Sequence, residues 1–125
     1  MVGVGARASG STRDSRKDIG YGIYDELDFD VITETAGDVE ARIKVRIGEV
    51  AQSLKLVRQL ISKLRRNAET QLAVELGELQ QEEGHFTWGI SESARGDNLH
   101  CLLLDKEGRI DRLFVRSASY PTGRR

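Results

Sequence analysis

Residues 37–66, GDVEARIKVRIGEVAQSLKLVRQLISKLRR, decide the fold. Gly37-Asp38 supplies an N-terminal cap, and Glu40 sits in the first turn, where negative charge complements the helix dipole. Apolar residues then recur at Val39, Ile43, Ile47, Val50, Leu54, Val57, Leu60, Ile61 and Leu64. Those spacings of three and four define one helical face, expected to be buried. Val45 and Leu56 fall off that face and widen the expected buried surface. Lys63, Arg65 and Arg66 complement the negative end of the dipole, and Asn67 is the expected terminator. At ~1.5 Å per residue, a helix over residues 38–66 runs roughly 40 Å. Each buried Leu, Ile or Val on it is worth about 1.5–3 kcal/mol only if something covers it. No second long helical pattern exists in the chain to do so, which points to completion by missing helices or by self-association.

Working outward, residues 1–36 read as an irregular entry punctuated by Gly3, Gly5 and Gly10, with a short helical turn opened by Ser9 or Ser11. From Tyr21 to Val31, apolar residues alternate with acids, an extended or loop-like stretch rather than a firm strand. Beyond the helix, 37–67, comes a polar connector over 68–84 containing Leu72, Val74, Leu76 and Leu79. Three strands follow within 85–121: Phe86–Ser91, Leu99–Leu104 and Ile110–Arg116. The last two are joined at Asp105-Lys106-Glu107-Gly108, where Gly suits a hairpin turn of positive φ. The expected fold class is α+β, one long amphipathic helix with a small three-stranded antiparallel sheet, forming a single partial domain.

Composition narrows the function. The 125 residues carry 19 basic and 20 acidic side chains, a net charge of −1 that argues against nucleic-acid binding. No window approaches the ~18–20 apolar residues of a membrane span. The N-terminus lacks the basic and apolar regions of a signal peptide. One cysteine, Cys101, excludes an intrachain disulfide framework and fits a reducing compartment. A cytoplasmic location follows as the expectation.

The chemistry-bearing patterns are sparse. No Gly-x-Ser-x-Gly elbow, dinucleotide fingerprint or Walker lysine loop occurs, so the chain offers no nicotinamide site of its own. His85 and His100 are too few for a metal site. His100 and Cys101 adjoin within an expected strand, so their side chains point to opposite faces. Charge clusters at Arg7, Arg13, Asp14, Arg16, Lys17 and Asp18, and again on the helix at Arg42, Arg46 and Glu49. Two readings stand: a solvated face with weak intrahelical pairs, or a buried polar network that relays protons or fixes subunit contacts. The stretch Glu92-Ser93-Ala94-Arg95-Gly96-Asp97 reads as a turn between strands, with Gly96 chosen for backbone freedom.

Two blocks carry a resemblance. The first is Ala8-Ser9-Gly10, Arg13-Asp14, Asp18, Tyr21, Tyr24, Asp28-Phe29-Asp30-Val31, Gly37-Asp38, Ala41-Arg42, Val45-Arg46, Glu49 and Ser53. The second is Glu92 to Asp97, His100, Leu102, Asp105, Gly108-Arg109, Arg116 and Ser119-Tyr120-Pro121. Together they resemble the large subunit of membrane-bound nickel-iron hydrogenases and its relative, the hydrogenase-like subunit of respiratory NADH:quinone oxidoreductase (complex I). The pairing of Arg95-Gly96-Asp97 with His100, and the ending from Arg116 to Tyr120, lean towards the hydrogenase branch. The resemblance implies a truncated C-terminal part of such a subunit, belonging to a membrane-associated oxidoreductase complex. Its partners would be other subunits of that complex or a second copy of the chain, at the cytoplasmic face of a membrane.

The same resemblance implies what the chain lacks. A NiFe centre is held by two Cys-x-x-Cys pairs, and a lone cysteine cannot supply them. The NiFe centre, any iron-sulfur cluster, quinone and NAD belong to the parent complex, with no cofactor or metal bound here. The chain alone is expected to be inactive. Cys101 stands where the family commonly has an aromatic residue, which implies a packing role. The turn at Arg95 lies near the buried centre of the family's subunit. Arg95 and His100 are therefore the candidates there, with Arg46 and Glu49 beside them from the helical charge cluster. His100 is the candidate proton carrier there. A second reading is a non-catalytic interaction or dimerisation module derived from such a subunit.

Overall fold

The computed structural model describes residues 2–66 and 86–120. The connector expected over 68–84, with Asn67 and His85, lies outside the described residues. Helices α1 (Gly3–Arg7) and α2 (Ser15–Asp18) and a 3-10 turn (Tyr24–Glu26) lead into the long helix α3 (Val39–Arg66). Strands β1 (Phe86–Ser93), β2 (Gly96–Leu104) and β3 (Ile110–Arg116) form one antiparallel sheet in the order β1-β2-β3. The α+β expectation holds. The entry is more regular than expected, and its short helix is opened by Asp14, not by Ser9 or Ser11. The Asp14 carboxylate accepts from the Arg16 backbone N–H, satisfying a donor that the first turn leaves orphaned.

Asp38 caps α3 as its sequence implies, accepting at 2.8 Å from the Ala41 backbone N–H. The face that the chain itself buries is a different matter. All nine residues of the expected buried stripe are exposed, from Val39 to Leu64. The buried residues of α3 are Ala41, Val45 and Leu56, none of them on that stripe. Ala41 and Val45 pack with Val4 and Ala8 of the N-terminal segment. One turn along, Gly48 admits Ile32, whose Cγ2 would lie 2.7 Å from any Cβ placed there. Leu56 packs with Leu27 and Phe29, with Tyr24 against them. The alternation from Tyr24 to Val31 thus sorts apolar residues inward without forming a strand.

Polar contacts continue the same attachment. Gln59 donates through Nε2 to the Asp28 carbonyl at 2.7 Å and accepts from the Asp28 N–H at 2.9 Å. Lys55 pairs with Asp28 at 2.7 Å and Lys63 with Glu26 at 2.6 Å. These exposed pairs contribute little individually, but they fix which side of α3 the entry segment runs along.

The sheet register pairs Trp88 with Cys101 and Cys101 with Phe114, one row on one face. Cys101 therefore sits between two aromatics, while His100, aligned with Gly89 and Val115, falls on the opposite face. The β2–β3 turn is held by Asp105, which accepts from the N–H groups of Glu107 and Arg109, and Gly108 takes φ 77°. The tip of the β1–β2 hairpin meets α1 backbone to backbone. Gly3 has φ 66°, and a Cβ there would lie 2.0 Å from the Arg95 carbonyl oxygen. Gly96, at φ 120°, faces the Gly3 nitrogen in the same way. Only a pair of glycines permits this approach.

Truncating Val45, fully buried, to Ala is expected to cost about 2 kcal/mol in urea unfolding. Ile47→Ala on the exposed stripe is expected to cost less than about 0.5 kcal/mol. Equal costs would return the packed face to the stripe.

Candidate functional site

Small residues make room for a charge. In the run Gly3–Arg7, the flanking Ala6 and Ala8 are buried and let the backbone of α1 lie close against α3. Arg7 is carried inside with them and is 2% exposed. Its guanidinium meets carboxylates from three elements. Nη1 donates to Glu92 Oε1 of β1 at 3.0 Å and lies 3.8 Å from Asp14 Oδ2. Nε approaches Glu49 Oε1 of α3 to 2.6 Å, an ion pair without the alignment of a hydrogen bond.

Each carboxylate is tied in turn. Glu92 Oε2 accepts from the Ser15 N–H at 3.2 Å, and the Glu92 backbone N–H donates to Tyr21 Oη at 2.8 Å. Asp14, fully buried, takes a two-pronged contact from Arg16, Nε to Oδ1 at 2.9 Å and Nη2 to Oδ2 at 2.6 Å. Arg16 in turn lies over the Phe29 and Tyr24 rings, 5.1 and 5.9 Å from their centroids.

Two guanidiniums thus serve three carboxylates, leaving one negative charge uncompensated within the cluster. The imbalance falls on Glu49. Burial pushes its carboxyl above the ordinary value, against the pull of Arg7, whose charge Glu92 and Asp14 share. Asp14 goes the other way: burial opposes ionisation, but the paired hydrogen bonds and charge of Arg16 outweigh it and lower its pKa. The cluster holds one carboxyl that favours a proton beside one that resists it.

The cluster forms one wall of an open cleft of about 500 Å³ between α3 and the β1–β2 turn, lined also by Arg46 and Arg95. Neither guanidinium makes an ion pair among the described residues, though Arg95 Nη1 lies 3.5 Å from Ser119 Oγ. Three of the four sequence candidates, Arg46, Glu49 and Arg95, therefore share one cleft. His100 is exposed on β2 and does not line it. Arg42 is exposed and stays outside as well. Arg7, Asp14 and Arg16 belonged to the N-terminal charge cluster visible in the sequence. Glu92 was read as part of a turn and of the resemblance, not as a site residue. Its burial had no local signal, because its partners lie at residues 7, 15 and 21.

The donor set does not fit a nickel-iron centre. The sequence holds one thiol, and among the described residues no group of three His, Cys, Asp or Glu converges on a point. Among them, too, no helix is long and apolar enough to cross a membrane.

Replacing Arg7 by Met should leave buried carboxylates uncompensated and cost about 3–5 kcal/mol in denaturant unfolding. The pH dependence has two signs. Asp14 stabilises above its ordinary value of 3.8, and that stability is lost as pH falls through its lowered pKa. Glu49, with its pKa raised, favours the fold most when protonated, and its contribution declines as pH rises above 4.5. Thermal melts of Glu49→Gln should therefore gain on the wild type as pH rises above that value; a constant difference would show that Glu49 does not carry the proton.

The sequence places this arrangement among known proteins. Residues 1–86 match the family described as respiratory-chain NADH dehydrogenase, 49 Kd subunit. An NADH-quinone oxidoreductase subunit of Thermosipho melanesiensis is 35% identical over 123 residues, covering 97% of this chain and 33% of the relative. Its counterpart in Salinispora tropica, likewise an NADH-quinone oxidoreductase subunit, is 38% identical over 118 residues, covering 92% of this chain and 29% of the relative. A chain from the membrane-bound sulfane sulfur reductase, an archaeal respiratory membrane complex, superposes with a TM-score of 0.79 at 25% identity. It covers 95% of this chain and 33% of that one. The chain thus spans about a third of the length of these relatives. With the family match extending over more than half of its residues, the chain belongs to the family of the 49 kDa, hydrogenase-like large subunit of respiratory-chain NADH dehydrogenases.

Proposed function

We propose that this chain serves as a load-spreading part of a hydrogenase-like large subunit, holding a charged cleft in shape for an NADH:quinone or hydrogen-oxidising complex at a membrane. The observation that carries this reading is the buried Arg7 cluster, which ties the entry segment, α3 and β1 together beside that cleft. Electron transfer, and the binding of NAD, quinone or metal, would reside in the remainder of such a complex. Its other subunits are the natural partners, and association with the membrane would be peripheral. The relatives are subunits by name, which leaves the free-standing dimerisation module unfavoured.

Within the assembled complex, Glu49 is the group suited to hold and pass a proton. It sits at the cleft wall, burial raises the pKa of its carboxyl, and Arg7 steadies its anion. Arg46 and Arg95 would set the positive potential of the cleft mouth. His100, outside the cleft, has no part in this route.

The test is native electrophoresis of detergent-solubilised membranes from the source organism, with the chain carrying an affinity tag. The chain is expected to migrate at the mass of a multi-subunit complex that reduces quinone, and Glu49→Gln to lower that turnover about tenfold while assembly stays intact. A chain found only at its own mass, with quinone reduction migrating elsewhere, would sink the proposal.

A further inference from the structure

The cleft beside the Arg7 cluster has the makings of a site for an organic anion. It holds about 500 Å³, within the ~300–1,000 Å³ typical of small-molecule sites. Each side brings an exposed guanidinium. Arg46 comes from α3, and Arg95 from the β1–β2 turn, where its Nη1 lies 3.5 Å from Ser119 Oγ. The backbone that carries Arg95 is held in place, because its carbonyl and Gly96 lie against Gly3. The Ser53 and Ser93 hydroxyls also line the cleft, but they donate to the carbonyls of Glu49 and Gly96 at 2.8 and 2.7 Å. The two guanidiniums are therefore the donors left for a ligand. Between them Tyr24, Val50 and Ala94 add apolar surface. A neutral molecule would leave the guanidiniums unmatched, and an inorganic anion would leave the apolar surface wet. A carboxylate on an apolar body meets both, and its planar group suits the guanidinium fork.

The ligand's charge would arrive beside one already present. Glu49 lies one turn of α3 from Arg46 and lines the same cleft. Around it stand Arg7 of α1 and, from the entry segment, Asp14 and Arg16. Glu92 of β1, Arg95 and the Tyr24 phenol complete the surroundings. Arg7 and Arg16 already serve three carboxylates, so neither is spare to offset a fourth. Burial raises the pKa of Glu49, and a second anion in the cleft raises it further. We propose that the cleft binds a small organic acid, its carboxylate between Arg46 and Arg95, and that Glu49 takes up a proton as the acid enters. The proton comes from solvent: one carboxylate in the cleft is neutralised as another arrives, and the net charge of the cleft is unchanged. This rests on the reading of Glu49 as the group that holds a proton, and it adds the class of molecule that loads it.

The experiment is titration calorimetry on the full chain with benzoate, inorganic phosphate and neutral benzyl alcohol. Benzoate is expected to bind at least about tenfold tighter than either of the others. Its affinity should fall at least about fivefold from about pH 5.5 to about pH 8. In two buffers of different ionisation enthalpy, the binding heats should differ by the proton taken up. Glu49→Gln is expected to abolish both the pH dependence and the buffer dependence while still binding benzoate. R46Q/R95Q, with both changes on exposed side chains, should weaken benzoate at least about tenfold with an unchanged circular dichroism spectrum. Equal binding of benzyl alcohol or of phosphate, no binding of benzoate, or an R46Q/R95Q variant that binds like the wild type would overturn the site. Wild-type binding without proton uptake would overturn the role of Glu49. None of these failures alters whether the chain migrates with a membrane complex, so the two readings fail separately.

Discussion

A buried guanidinium surrounded by carboxylates from three elements is the constraint on which this structure depends. Arg7 has little freedom to leave: its removal from water is tolerable only while Glu92, Glu49 and Asp14 remain in place. Each of those, in turn, is located by something else. Asp14 caps α2 and is gripped by Arg16, Glu49 rides on α3, and Glu92 receives the N–H of Ser15. The apolar contacts of the first residues with α3 are few and small: Val4 and Ala8 against Ala41 and Val45. Hydrophobic burial alone would leave their relative placement loose. The ion cluster fixes it, because a network with unmatched members costs more than one with none.

The glycine pair at Gly3 and Gly96 complements that role. The cluster sets which segments meet, and the crossing of two backbones without side chains sets how closely. Arg95 precedes Gly96, so its position over the cleft follows from that contact. The asymmetry between Asp14 and Glu49 also follows from placement rather than residue type. Asp14 has a guanidinium nearly to itself, and Glu49 has a share of one.

Much of the fold was legible in the sequence, and the failures have a common cause. The cap at Asp38, the extent of α3, the third strand and the turn at Gly108 are local matters of cap chemistry, periodicity and φ. The assignment of the buried face was not local. The stripe from Val39 to Leu64 is the stronger periodic signal, yet the chain packs against Ala41, Val45 and Leu56. Periodicity reports the surface that a protein keeps from water in its working state. This chain spans about a third of its relatives' length, so a strong stripe and an exposed one are compatible. At the site, Arg46, Glu49 and Arg95 line one cleft, whereas the burial of Glu92 was invisible because its partners are remote in sequence. His100 was drawn in by its chemistry and left out by its register with Gly89 and Val115.

The hydrogen bond between Arg7 and Glu92 spans 85 positions along the chain. Closing so long a loop carries an entropic cost on the order of 4 kcal/mol from its length alone, and contacts of this separation form late in folding. During synthesis, α1 therefore emerges with its guanidinium unpaired by β1 until the residues between them have been made. Until then Arg7 has only Asp14 and Glu49 as carboxylate partners. Helix α1 is in this sense a latch: its order reports that the β1–β2 hairpin has arrived, and proteolysis near residue 7 would read out that docking.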